Sequence, residues 1–378
     1  MREYALVFLV AAAVTYLLTV LAREIALRAG AVAGIRDRDV HDEPIPYLGG
    51  LAMYGGMVAA YIVARELPFL SRSQDLVFQD AGKVLLAGGL VCAVGVLDDI
   101  FELDALTKLG GQVLTAGVLV AFGIQFNFFF FPDGGAFALN SAQGGLFTVF
   151  VVVATANAVN LVDGLDGLAS GVVGIGALAF FAFCYQVANL NRLTLATTGA
   201  LLSAAVAGAC VGFLPHNFNP ARIFMGDSGS MLLGLMLSAS AITLTGQFNP
   251  ADLMGTTPAS ELNVLIVFYP LLLPVAILLI PLADLVLAVL RRTWRGQMFY
   301  HPDKQHLHHR LLEIGHSHRG AVLIMWLWAA LTSFGLVVAL LYAGPKVWWS
   351  LTAMFLLTIF GTVIIPILNR PNSAQEST

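Results

Sequence analysis

The sequence predicts an all-helical, polytopic membrane protein with about eleven transmembrane helices, and three observations predict it. Of 378 residues, 58% are hydrophobic and only 11% are charged. A soluble domain carries about a quarter charged residues, so this is membrane composition, as the mean hydropathy of +0.83 also indicates. Apolar stretches near the ~20 residues needed to cross a bilayer recur along the whole chain. Finally, Lys and Arg fall unevenly among the links between those stretches, as they do in proteins with a cytosolic and an outer face.

The spans are expected at 4–22, 48–64, 81–97, 109–124, 145–160, 167–187, 195–214, 229–246, 262–290, 320–343 and 346–368. The first follows Met1-Arg2-Glu3 with no Ala-x-Ala site behind it, so it reads as a retained helix rather than a signal peptide. The ninth is long and carries Pro270, Pro274 and Pro281, which predict a kinked, tilted or broken helix. Between the fourth and fifth, Phe126–Asn140 contains Pro132-Asp133-Gly134-Gly135 and reads as an external hairpin or interfacial loop. The whole of 1–378 reads as one integral membrane domain, with 291–319 a His-rich cytosolic loop and 369–378 a short cytosolic tail.

The odd-numbered links and the C-terminal tail hold 13 Lys and Arg, among them Arg23, Arg28, Arg36, Arg38, Lys108, Arg222, Arg291 and Arg292; the N-terminus and even links hold 6. This places the odd links and the C-terminus in the cytosol, the N-terminus outside, and the chain in the plasma membrane. A net charge of −4 without a basic stripe excludes a nucleic-acid partner. Cys92, Cys184 and Cys210 lie in apolar runs without CxxC spacing and read as small packing residues.

Four polar clusters interrupt this apolar chain, and all fall in odd links. Asp98-Asp99 ends the third span, where two carboxylates face the negative end of a helix dipole and need a counter-charge. Lys108 is placed to supply it or to meet a substrate phosphate; a solvated helix end is the alternative. In Asn157-Ala-Val-Asn160-Leu-Val-Asp163-Gly-Leu-Asp166-Gly, the spacing of Asn160, Asp163 and Asp166 predicts one helix face. Carboxylates at membrane depth mark function, and Gly164 and Gly167 suit a tight turn or close approach to a ligand. From Pro215 to Ser230, the string Gly226-Asp227-Ser228-Gly229-Ser230 opens the eighth span. It reads as an ordinary N-cap or as a helix N-terminus presenting N–H groups to an anion. The fourth cluster, His301–Arg310, contains His306, His308 and His309 beside Asp303 and Arg310, without the cysteines of a structural zinc site. Imidazoles and a guanidinium suit charge stabilisation at a diphosphate better. Asp284 reads as a charge partner for the Arg291 and Arg292 end or as a polar tie between helices, rather than as a chemical group. Carboxylates, phosphate donors and a membrane setting together fit metal-assisted phosphoryl transfer, which asks mainly for positioning and charge neutralisation.

The strings LDDIFEL, NAVNLVDGLDGLASG, FNPARIFMGDSGSMLLG and HPDKQHLHHRLLEIGHSHR, with HDEPIPYLGG as a looser fifth, resemble the polyprenyl-phosphate N-acetylhexosamine-1-phosphate transferase family, in that family's order. The resemblance implies a helical bundle with a cytosolic active-site cleft. It implies Mg²⁺ on Asp227 with Asn160 as second contributor, Mn²⁺ being a substitute. Asn217, Asp166 and Phe224 resemble the uridine-binding set, with Phe224 stacking on uracil. Asp98 and Asp99 resemble the acidic pair acting on the polyprenyl phosphate, Asp163 lines the same cleft, and His306, His308 and His309 contact the diphosphate or sugar. Leu307 breaks a run of three histidines typical of muramoyl-pentapeptide donors. That break, with eleven spans, resembles the branch that takes UDP-N-acetylglucosamine and starts cell-envelope polysaccharides. Tyr47 stands where many relatives place an Arg. The implied partners are UDP-N-acetylglucosamine, a polyprenyl phosphate and the membrane; a homodimer is compatible with the sequence. The rival readings are a muramoyl-pentapeptide transferase and an ion-coupled transporter. A transporter should carry midplane acids and inverted repeats, whereas Asp284 is the clear intramembrane acid and no repeat is evident.

Overall fold

The computed structural model describes residues 1–32, 45–72, 75–130, 136–191, 195–245, 272, 316–342 and 344–364. The ninth span with Asp284, and the His301–Arg310 cluster, lie outside these residues. Within them the chain forms α1 (Arg2–Ala29), α2 (Gly49–Glu66), α3 (Asp75–Phe101), α4 (Ala105–Ala121), α5 (Ser141–Val162), α6 (Leu168–Asn191), α7 (Leu195–Asn217), α8 (Gly226–Thr245), α9 (His318–Leu341) and α10 (Pro345–Ile359). Among the described residues, seven of these helices (α1, α3, α5, α6, α7, α8 and α9) are long and apolar enough to cross a membrane. Leu17 (67% exposed), Leu114 (65%) and Trp349 (75%) point outward from three different helices. Such side chains suit a lipid boundary, and the protein is a multi-pass membrane protein.

The hairpin expected between the fourth and fifth spans is present. β1 (Phe128–Phe130) pairs antiparallel with β2 (Ala136–Ala138), a small two-stranded element among the described residues. Asn140 caps the helix that follows through a reciprocal capping box with Gln143. Helix α3 starts at Asp75, earlier than its apolar run suggests, so Asp80 and Lys83 lie inside it. Asp80 is buried and pairs with Lys83 at 2.9 Å.

At the centre stands α8, buried along its whole length except for Asp227. Its polar residues are quenched locally: Ser238 Oγ donates to Gly234 O at 2.9 Å and Ser240 Oγ to Met236 O at 2.6 Å. Small residues let the surrounding helices close in. A Cβ on Gly208 or Gly212 of α7 would stand 2.3 Å from Phe8 O or 2.1 Å from Ala12 O of α1, which is the close contact that small-xxx-small spacing permits between membrane helices. The termini that matter for function meet at one end of this bundle: the C-termini of α3, α5 and α7 with the N-termini of α2, α4, α6 and α8.

Candidate active site

The α3–α4 turn is built by two carboxylates. Asp98 Oδ1 accepts the Leu103 N–H at 2.9 Å, and Asp104 caps α4 by accepting from Leu106 and Thr107 at 3.0 Å each. The turn returns Lys108, on the first turn of α4, against the end of α3. Its Nζ lies 3.0 Å from Asp98 Oδ2 and also contacts Asp227 Oδ2. The counter-charge that Asp98 requires is therefore Lys108, as its spacing suggested.

Asp99 finds its counter-charge elsewhere. Its Oδ1 accepts the Asp227 N–H at 2.7 Å and its Oδ2 the Ser228 N–H at 3.2 Å, so the C-terminus of α3 is tied to the N-terminus of α8. The exposed N–H groups and positive dipole end of α8 thus receive an anion, and that anion is the protein's own. Gly226 makes the approach possible. It adopts φ +69°, and a Cβ there would stand 2.4 Å from Asp99 Oδ2.

Asn160 completes the grip on Asp227. Its Nδ2 donates to Asp227 Oδ1 and, at 2.9 Å, to Ser230 Oγ. In this orientation the amide nitrogen, rather than the oxygen, faces the carboxylate. Beneath it, Asn157 Nδ2 donates to Gln112 Oε1 at 2.6 Å, and buried Gln112 reaches Met231 Sδ at 3.0 Å. Ser230 belongs to the string expected at the start of the eighth span, whereas Gln112 was not among the expected site residues. The signal that points to Gln112 is an amide at membrane depth in an otherwise apolar helix.

The expected shared face of Asn160, Asp163 and Asp166 does not form. Helix α5 ends at Val162, Asp163 is its C-cap, and the chain turns through 164–167 before α6. Gly167 at φ +75° supports that turn, so only Asn160 is helical. Asp166 is buried and faces away, its Oδ2 accepting from Asn219 Nδ2 at 3.1 Å and from the Ala221 N–H at 3.0 Å. Asn217, only 2% exposed, spends its amide on the same loop. Its Oδ1 accepts from the Gly167 N–H and Ser170 Oγ at 3.1 Å each, and its Nδ2 donates to Ile223 O at 3.1 Å.

The loop from Phe218 to Met225 is also held from the other side. Phe224 N–H donates to Pro46 O at 2.9 Å, Gly49 N–H to Phe224 O at 3.1 Å and Gly50 N–H to Met225 O at 3.0 Å. The PYLGG segment is thus a backbone clasp on Asp227's own loop. It brings the Tyr47 ring to 5.9 Å from that of half-buried Phe224, tilted 41°. Arg319 Nε donates to Asn219 O at 3.0 Å and Arg23 Nε to Arg222 O at 3.2 Å, bracing the outer edge. His306, His308, His309 and Arg310 lie outside the described residues.

Burial, followed by the negative charges of Asp99 and Asp166, pushes the Asp163 carboxyl up from 3.8 to about 7. The folded value lies above the unfolded one. Below about pH 4 both states hold the proton and no penalty arises, while above about pH 7 the folded state bears all of it. Asp163→Asn is therefore expected to raise the melting temperature of metal-stripped protein at about pH 8, and by less at about pH 5.5. Scanning fluorimetry in detergent measures both; an equal gain at the two pH values contradicts the reading.

Four carboxylates (Asp98, Asp99, Asp163 and Asp227) gather here, and among the described residues Lys108 forms ion pairs with two of them, Asp98 and Asp227. Such an excess of hard oxygen donors suits a divalent cation. Among the described residues no three His, Cys, Asp or Glu side chains make a self-sufficient metal cage.

The described helices form a polytopic membrane bundle with an acidic site at one end, and the chain belongs to glycosyl transferase family 4. That family's model matches residues 82–245, from α3 to the end of α8, and so includes every described site residue from Asp98 to Asp227. The chain is 43% identical over 381 residues to the decaprenyl-phosphate N-acetylglucosaminephosphotransferase of Mycolicibacterium smegmatis, covering 100% of this chain and 92% of the relative. It is 42% identical to the enzyme of that description from Mycobacterium tuberculosis, covering 98% and 90%. A Bacillus subtilis protein described as a probable undecaprenyl-phosphate N-acetylglucosaminyl 1-phosphate transferase is 31% identical, covering 98% and 94%.

Proposed function

We propose that this protein transfers N-acetylglucosamine-1-phosphate from UDP-N-acetylglucosamine to a polyprenyl phosphate, releasing UMP. The observation that carries the reading is the meeting of Asp98, Lys108, Asn160 and Asp227 at one end of an apolar bundle. The full-length likeness to enzymes named for this transfer supports the donor and the lipid. A lipid acceptor fits the setting, because its tail stays in an apolar phase while its phosphate meets the polar end.

Asp227 is the residue that would hold Mg²⁺, and the ion when bound supplies charge neutralisation on the donor's diphosphate. Asn160 and Ser230 orient the Asp227 carboxylate. Lys108, held by Asp98, presents an ammonium to phosphate oxygens, and Asp98 orients or deprotonates the polyprenyl phosphate. Asp99 positions α8, since both its oxygens are engaged by backbone N–H groups. Phe224 offers a ring to uracil, and Asp166 and Asn217 set the loop that carries it. His306, His308, His309 and Arg310 contact the diphosphate or sugar. The site faces the cytosol, with the remaining spans of an eleven-helix topology completed by 262–290. The N-terminus lies outside and the C-terminus inside.

Purified protein in detergent should release UMP from UDP-N-acetylglucosamine only when polyprenyl phosphate and Mg²⁺ are both present. EDTA should stop release and added Mg²⁺ restore it. UDP-N-acetylmuramoyl-pentapeptide should give no release; turnover from that donor alone would move the protein to the muramoyl branch.

A further inference from the structure

Within the site, Lys108 also stands on the carboxylate that the transfer reading gives to the metal. Its ammonium is shared between two carboxylates on different helices: Asp98 Oδ2 of α3 at 3.0 Å and Asp227 Oδ2 of α8. Asp227 Oδ1 is engaged by the Asn160 amide and Oδ2 by the Lys108 ammonium, so a metal reaching this carboxylate meets a cation already in place. The Lys108 backbone cannot retreat, because Asp104 caps α4 and the Lys108 N–H donates to Asp104 O at 3.0 Å. Its side chain can, since it is one-fifth exposed and has a second carboxylate to hold it. An ammonium and a divalent cation on the same carboxylate oxygen repel each other strongly in surroundings of low dielectric.

We propose that Lys108 is a built-in counter-ion that a divalent metal must displace from Asp227, and that the displaced ammonium, retained by Asp98, becomes a binding group for the donor's diphosphate. This rests on the reading of Asp227 as the metal-binding carboxylate. The device has two consequences. The ammonium compensates Asp98 and Asp227 whenever no metal is bound, which limits the repulsion between two half-buried acids. It also couples the two ligands. Metal binding frees a cation beside the site, and a diphosphate that takes up that cation favours metal binding, so each tightens the other by the same factor.

The test measures Mn²⁺ binding to metal-stripped, full-length protein in detergent, by the electron paramagnetic resonance signal of free Mn²⁺, with and without UDP. Lys108→Gln is expected to bind Mn²⁺ at least about fivefold more tightly than wild type, because both the competition and the repulsion are removed. Lys108→Arg, which keeps the charge, should stay within about twofold of wild type. UDP should tighten Mn²⁺ binding in wild type and do so less in Lys108→Gln. The rise in melting temperature on adding Mn²⁺ should likewise be larger in Lys108→Gln, a second readout that does not depend on turnover. Mn²⁺ binding to Lys108→Gln that is unchanged or weaker overturns the proposal, provided Asp227→Asn has lost binding. Undiminished binding to Asp227→Asn would instead overturn the metal assignment beneath it.

Discussion

Asp227→Asn is expected to lower kcat by at least about 10³-fold, or ~4 kcal/mol of transition-state stabilisation, while leaving a folded protein. The substitution keeps the size and one accepting oxygen but removes the charge that Lys108 and Asn160 both address. The Asp227 backbone N–H that binds Asp99 is retained, so the α3–α8 junction persists. Loss of activity with a melting temperature near that of wild type separates a chemical role from a structural one. Residual kcat within tenfold of wild type would remove Asp227 from the centre of the site.

The second large effect comes from Gly95, which performs no chemistry. It lies one turn before Asp99 on α3, and a Cβ there would stand 2.4 Å from both N and Cα of Ser228. Backbone cannot yield as a flexible side chain can, so Gly95→Ala must push α3 away from the first turn of α8. Overpacking of this kind costs about 1–3 kcal/mol. The same shift opens the Asp99 contacts to Asp227 and Ser228 and moves Asp227 relative to Lys108. A displacement of about 1 Å at reacting groups costs about 10²-fold, so kcat should fall by at least that much. Gly117→Ala, whose added methyl meets nothing within 4 Å, is the matched control and should retain wild-type activity and stability. Full activity in Gly95→Ala would show that the α3–α8 junction does not govern the site.

These two positions also mark what a reader of the sequence can and cannot see. Asp227, Asp98 and Lys108 are legible because charged residues are costly in an apolar chain and stand out in it. The Asp98–Lys108 pair is local, joined across one turn. The partner of Asp99 is 128 residues away, and no periodicity connects a helix C-terminus to the N-terminus of a helix five helices later. The helical face expected for Asn160, Asp163 and Asp166 failed for a local reason: two glycines end α5 at Val162, and the same glycines had already indicated a turn. Asn217 illustrates a different limit. A buried amide that satisfies a loop's backbone and an amide that meets a ligand look alike in sequence, and only the partners distinguish them. The PYLGG segment likewise resembles a motif, yet it acts on the loop of Asp227 through three backbone hydrogen bonds that no side-chain pattern encodes.

The central claim is that the sugar leaves its donor together with its phosphate, and labelling the β-phosphate of UDP-N-acetylglucosamine tests it most directly. Purified protein is incubated with labelled donor, polyprenyl phosphate and Mg²⁺, and the lipid and aqueous phases are counted separately. The label is expected to enter the lipid with the sugar, and the released nucleotide to be unlabelled UMP. Labelled UDP in the aqueous phase, with sugar alone on the lipid, would contradict it.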